Sequence, residues 1–174
     1  LRGRTLFSVT LGLSDGIITA LMIASARIAS NTPVSLYEAL RISFGSSLVG
    51  AFSYFVAEYS RLRGEIVRIS RQLTMVSPWK LIHTRIGHSI LIESLEGTTL
   101  SGFSGFAGAL IPLASDVYLH QLGEVPFVIS IAALSILGIG LARSISGHYA
   151  TWALGMALLG VLMSYVGLIL HIAG

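Results

Sequence analysis

Asp15 stands in Gly12-Leu13-Ser14-Asp15-Gly16-Ile17-Ile18-Thr19, inside a run from Thr5 to Ile28 that is otherwise apolar. A carboxylate at membrane depth costs several kcal/mol unless it meets water, a protein interior or a cation, so its presence there points to ion or proton handling. At helical spacing Ser8, Gly12, Asp15, Thr19 and Met22 share a face, with the hydroxyl of Ser14 beside it. Carboxylate, hydroxyl and thioether together suit a borderline divalent metal such as ferrous iron or manganese. A carboxylate that also accepts a proton suits exchange of that metal against protons, because proton and metal compete for the same oxygens. The alternative for Met22 is ordinary apolar filling.

The helix that must carry these groups has a second property. Ser8, Gly12, Gly16, Ala20 and Ala24 form a row of small residues along nearly the same side, which permits close approach of another helix. Two copies of this helix related by symmetry would pack through Ser8, Gly12, Gly16 and Ala20 and bring two Asp15 carboxylates near one axis.

The rest of the chain places this helix in a membrane. Of 174 residues, 53% are hydrophobic and 11% charged, with a mean hydropathy of +0.81, against roughly 25% charged in soluble domains. At ~20 residues per span the length accommodates about five transmembrane helices and one modest polar segment. The expected fold is therefore all-α, a single polytopic membrane domain over residues 1–174 with a short basic segment at about 60–97. No separate soluble domain fits, and nucleic acid is a poor candidate partner. Cysteine is absent, so disulfides, thiolate ligands and redox motifs are excluded. Arg2 and Arg4 ahead of an apolar run imitate a secretory signal, but the run is too long for a signal core and Asp15 interrupts it.

In chain order, Asn31-Thr32-Pro33 reads as a turn, Ser35 as a helix cap and Glu38 as its capping-box partner. Span two is expected from Ala39 to Tyr59. Glu58 near its end has two readings, a functional acid or a partner of Arg61 or Arg63. From Leu62 to Met75 apolar residues alternate with arginines as an amphipathic helix, either continuing span two or lying on the membrane surface. Ser77-Pro78-Trp79 breaks it. A polar-faced stretch follows with His83, His88, Glu93 and Glu96, of which the two glutamates have aligned helical spacing. Span three is expected from Thr98, with Pro112 near its end and an acidic turn Ala114-Ser115-Asp116. Spans four and five are expected at Val128–Ala142 and Tyr149–Ile172, with His171 interfacial.

Lys and Arg concentrate at the amino terminus (Arg2, Arg4), after span two and after span four (Arg143), whereas the loop after span three has none. That distribution puts the amino terminus in the cytoplasm. Arg27 alone among loop residues opposes it, and Arg41 is placed to snorkel. No nucleophile–base arrangement, phosphate-binding glycine loop or metalloenzyme motif is present, so an enzyme is not expected.

Three stretches carry a resemblance: Gly12-Leu13-Ser14-Asp15-Gly16, Gly50-Ala51-Phe52-Ser53-Tyr54-Phe55-Val56-Ala57-Glu58-Tyr59, and Gly108-Ala109-Leu110-Ile111-Pro112-Leu113. Together they resemble the signature stretches of the vacuolar iron transporter family, which includes yeast calcium-sensitivity iron and manganese transporters and plant nodulin-like proteins. The resemblance implies a homodimer whose first spans meet on the two-fold axis and line a path for ferrous iron, or manganese, exported from the cytoplasm in exchange for protons. It implies Asp15 as the intramembrane metal-binding acid and Glu58 as the acid at the cytoplasmic end of span two. It also implies a cell membrane in a prokaryote and a vacuolar membrane in a eukaryote. Metal and protons are then cargo, and no resident cofactor is expected.

Two departures stand out. Tyr54 occupies a place where the family commonly has Met, and Ala57 one where it has Gly. The glutamate-rich insert of larger members is reduced to Glu65, Glu93 and Glu96, with His88 nearby, as candidate cytoplasmic metal contacts. Two other functions compete with transport. One is a membrane scaffold that retains the fold, and the other a module whose basic segment from Arg61 to Arg85 binds anionic lipid or an acidic partner.

Overall fold

Chains this apolar must satisfy their backbone groups internally, and these segments do so as helices. The computed structural model describes residues 2–29, 34–72, 85–119, 125–145 and 147–170. They form five helices: α1 (Arg2–Ala29), α2 (Leu36–Gln72), α3 (Arg85–Leu119), α4 (Val125–Ile145) and α5 (Tyr149–Leu170). Each is long and apolar enough to cross a membrane. The Asn31–Pro33 turn, the Ser77–Trp79 break, His83, the residues from His120 to Glu124, and His171 lie outside the described residues.

Two helices are much longer than a bilayer requires. At 37 and 35 residues, α2 and α3 are about 55 and 52 Å long against a hydrocarbon layer of about 30 Å. The end of α2 and the start of α3 therefore extend beyond any apolar layer. There Leu62 and Ile90 remain buried while Arg61, Arg63, Arg68 and His88 are exposed. Of the two expectations for the arginine-bearing segment, continuation of span two is the one observed, through Gln72. The helix that carries span three begins at Arg85, ahead of Thr98.

Helix α1 touches each of the other four, with α2 and α3 on one side and α4 and α5 on the other. Lipid tails are as apolar as leucine, so close packing rather than hydrophobic exclusion has to join such helices. The joint between α1 and α3 is made of glycine. A methyl group at Gly12 would collide with the Ser101 carbonyl and Ser104 hydroxyl, one at Gly16 with the backbone of Gly105 and Ala109, and one at Gly108 with the backbone of Leu13. Ala20 and Ala24 are buried with Ala109 and Leu113 in the same contact region. The row is thus a packing device within the chain: Gly12 and Gly16 meet α3, Ala20 is buried with Ala109 and Leu113 of α3, and Ser8 meets Tyr54 of α2.

On the other side Ile17, Leu21 and Leu134 form a buried cluster, and Gly167 of α5 lies against the Met22 backbone. Hydroxyls within the helices turn back to carbonyls three or four residues earlier, as Ser14 does to Leu11, Ser104 to Ser101 and Ser130 to Pro126. At the start of α2 the capping box is formed. The Glu38 amide donates to Ser35 Oγ at 3.2 Å and the Ser35 amide to Glu38 Oε2 at 3.0 Å. Arg27 approaches Glu38 at 3.7 Å, so the loop residue that opposed the sidedness count has an acidic neighbour.

Pro112 does not end its helix. Residues through Leu119 stay helical, and Ser115 Oγ donates to the Pro112 carbonyl at 2.8 Å. Asp116, expected in an acidic turn, is instead helical and wholly buried in the last turns of α3.

Candidate functional site

Asp15 lies midway along α1 on the flank of the small-residue row. At about 100° per residue, Gly12 and Gly16 sit some 60–100° to one side of it, and Leu11, Ile18 and Phe7 some 40–80° to the other. The glycine side is filled by α3. The other side opens into a groove of about 570 Å³ whose walls include Phe7, Leu11, Ser14 and Ile18 from α1 and Gly50, Ser53, Tyr54, Ala57, Glu58 and Arg61 from α2. Asp15 is exposed in this groove. Its carboxylate lies against Gly50, where an added methyl would stand 2.5 Å from Asp15 Oδ2.

Because α1 and α2 are consecutive and antiparallel, the groove runs from Asp15 toward the extended end of α2. Glu58 and Arg61 line that end. Arg61 grips Glu58 with two bonds, Nε to Oε2 at 2.9 Å and one terminal nitrogen to Oε1 at 2.8 Å. Its other terminal nitrogen is 3.6 Å from Glu65 Oε2. The Glu58 side chain is only 12% exposed, that of Arg61 53%.

A second cavity of about 310 Å³ lies beside the groove, lined by Thr5, Ser8, Tyr54, Glu58, Glu93, Glu96, Gly97, Thr99 and Leu100. Three of these are acids and none is basic, so its field favours cations. Tyr54 and Glu58 line both spaces. Tyr54 is buried, its hydroxyl is hydrogen-bonded to Ser8 Oγ at 2.6 Å, and its ring lies where a methyl at Gly97 would stand 2.8 Å away. Tyr54 is therefore the wall between the two spaces.

The structure brings Asp15, Ser14 and Glu58 to one groove, and Glu58, Glu93 and Glu96 to one cavity. Thr19 and Met22 line neither. The helix carries Met22 about two turns beyond Asp15, away from the groove's polar end, and its backbone packs on α5. Glu65 reaches Arg61 but neither space, and His88 is exposed outside both. Among the described residues no three His, Cys, Asp or Glu side chains come close enough to hold a metal ion.

Two residues were not anticipated from the sequence. Gly50 opens the second quoted stretch, but it is distant from Asp15 in the chain and nothing local pairs the two. Asp116 reads as part of an acidic turn, and its burial was not anticipated because the helix runs past it to Leu119. Comparisons of the chain with models of known families, with curated proteins and with solved structures gave no match. The resemblance to vacuolar iron transporters rests on the three quoted stretches.

Proposed function

We propose that the protein is a transporter of a divalent cation, ferrous iron or manganese, moved out of the cytoplasm against protons, with Asp15 as its central acid. One observation carries this reading. Glu58 belongs both to the groove that holds Asp15 and to the cavity that holds Glu93 and Glu96, so acids follow one another from the helical extension to mid-helix. Carboxylate and hydroxyl oxygens from Asp15, Ser14 and Ser53 suit such an ion. When the ion leaves, a proton neutralises Asp15 and removes the cost of a bare carboxylate at that depth.

The arginines on the α2 extension put the acidic cavity on the cytoplasmic side. Asp15 is exposed on the α1–α2 side of the chain, where lipid offers a carboxylate no partner. A second copy covering that side removes it from lipid and adds a second Asp15 to an incomplete ligand set.

The test is uptake of ferrous iron and manganese into proteoliposomes with and without a pH gradient, for wild type and Asp15→Asn. The expected result is gradient-dependent flux that vanishes in the variant while the protein stays folded. Equal flux in both removes the proposal.

A scaffold without transport is the second reading, favoured by the grip of Arg61 on Glu58 and by the absence of a three-ligand group among the described residues. It predicts that added manganese leaves the melting temperature unchanged. A bound cargo ion raises it by linkage.

A further inference from the structure

We propose that Arg61 is a tethered competitor for the transported ion: its guanidinium occupies the Glu58 carboxylate at the groove end nearest the acidic cavity and must be displaced before a cation can use that acid. This rests on the transport reading above. The geometry comes from three side chains on one face of α2. Glu58 and Arg61 are three residues apart and joined by two hydrogen bonds of 2.9 and 2.8 Å, so both carboxylate oxygens are in use. Arg61 and Glu65 are four residues apart, and the guanidinium nitrogen facing Glu65 stands at 3.6 Å. Glu58 is nearly buried while Arg61 and Glu65 are more than half exposed. The arginine is therefore the movable member, and a second acid is in place to receive it.

The arrangement selects by charge. A divalent ion concentrates more charge on two oxygens than a delocalised guanidinium does and displaces it, whereas sodium or potassium, with one weakly held charge, leaves the fork in place. Glu65 stabilises the displaced arginine, so the exchange leaves no cation without a counter-charge. Arg61 in this role is a specificity-determining residue, and Glu65 acts through it.

The experiment compares wild type, Arg61→Gln, Arg61→Lys and Glu65→Gln by two readouts. Both positions lie on the exposed side of an already formed helix, so the variants are expected to fold. The first readout is the manganese concentration for half-maximal uptake, and sodium inhibition of it. The second is independent of transport. Because the chain has no cysteine, Ser53→Cys places a single thiol in the groove, and its modification rates by a cationic and an anionic thiol reagent are compared.

Lysine keeps the charge but cannot form the two-bond fork. Both arginine variants are expected to lower the half-saturating manganese roughly two- to fivefold, the factor an exposed ion pair converts to. They also raise the cationic-to-anionic modification ratio and introduce sodium inhibition. Glu65→Gln moves manganese and the ratio the other way. Arg61→Lys matching wild type overturns the proposal in favour of a general field effect, and so does no change in any variant. If wild type carries no ion at all, the transport reading fails, and the modification ratios still decide whether Arg61 closes the groove to cations.

Discussion

The carboxylate of Asp15 occupies space that exists only because residue 50 has no side chain: a methyl at Gly50 would stand 2.5 Å from Asp15 Oδ2 and 3.7 Å from its Cγ. The obstructing atom is the tip of a side chain, which can rotate away. Gly50→Ala is therefore expected to fold as well as wild type, helped by up to about 1 kcal/mol of helix propensity, while the displaced carboxylate weakens manganese uptake. Melting temperature and flux measured on the same preparation check this. Undiminished flux would mean that the position of Asp15 does not matter.

Glycines that meet backbone behave differently. At Gly16 a methyl group runs into the main chain of Gly105 and Ala109, which cannot swing aside. Gly16→Ala is expected to cost ~1–3 kcal/mol, the usual range for overpacking. A methyl group at Gly155 would meet nothing within 4 Å beyond its own helix among the described residues, and Gly155→Ala is expected to be neutral or to gain up to about 1 kcal/mol. Thermal unfolding in detergent separates the two. Since Gly16 packs inside the chain, its variant should lose fold rather than dissociate into folded monomers.

Tyr54 can be tested as both wall and departure. Tyr54→Phe removes the 2.6 Å bond to Ser8 and is expected to cost about 0.5–1.5 kcal/mol, the net worth of such a bond, without changing ion preference. Tyr54→Met places a thioether between the two spaces, and a soft ligand there should raise the ratio of ferrous iron to manganese uptake. Competition uptake with both ions gives the ratio. An unchanged ratio in the Met variant separates Tyr54 from selectivity.

The start of α2 offers a control remote from the groove. Ser35→Ala removes the acceptor of the Glu38 amide and is expected to lower stability by ~1 kcal/mol, as lost helix caps do. Manganese affinity should not move. A change in affinity would show that the cap region and the groove are coupled.

What could be read from the sequence follows from local causes. Apolar length and backbone self-satisfaction produce five helices, an acid within an apolar run marks Asp15, and the Ser35–Glu38 spacing contains its cap, because each depends on residues within one or a few turns. Pro112 shows where local reading stops short, since a helix buried against its neighbours continues through the proline to Leu119.

Partnership between helices belongs to the tertiary structure. The row Ser8, Gly12, Gly16, Ala20 determines that some helix must approach closely, and α3, with its own glycines, is the helix packed on Gly12 and Gly16. That choice turns Asp15 toward α2, sets it against Gly50, and leaves Met22 and Thr19 outside the groove. It also makes Tyr54 a shared wall, through contacts with Ser8 and Gly97 on two other helices. Sequence alone determined which groups must be accommodated in an apolar medium, because that cost is paid residue by residue. Only the fold decided what each one faces, because the glycine contacts fix which helices approach and at what rotation.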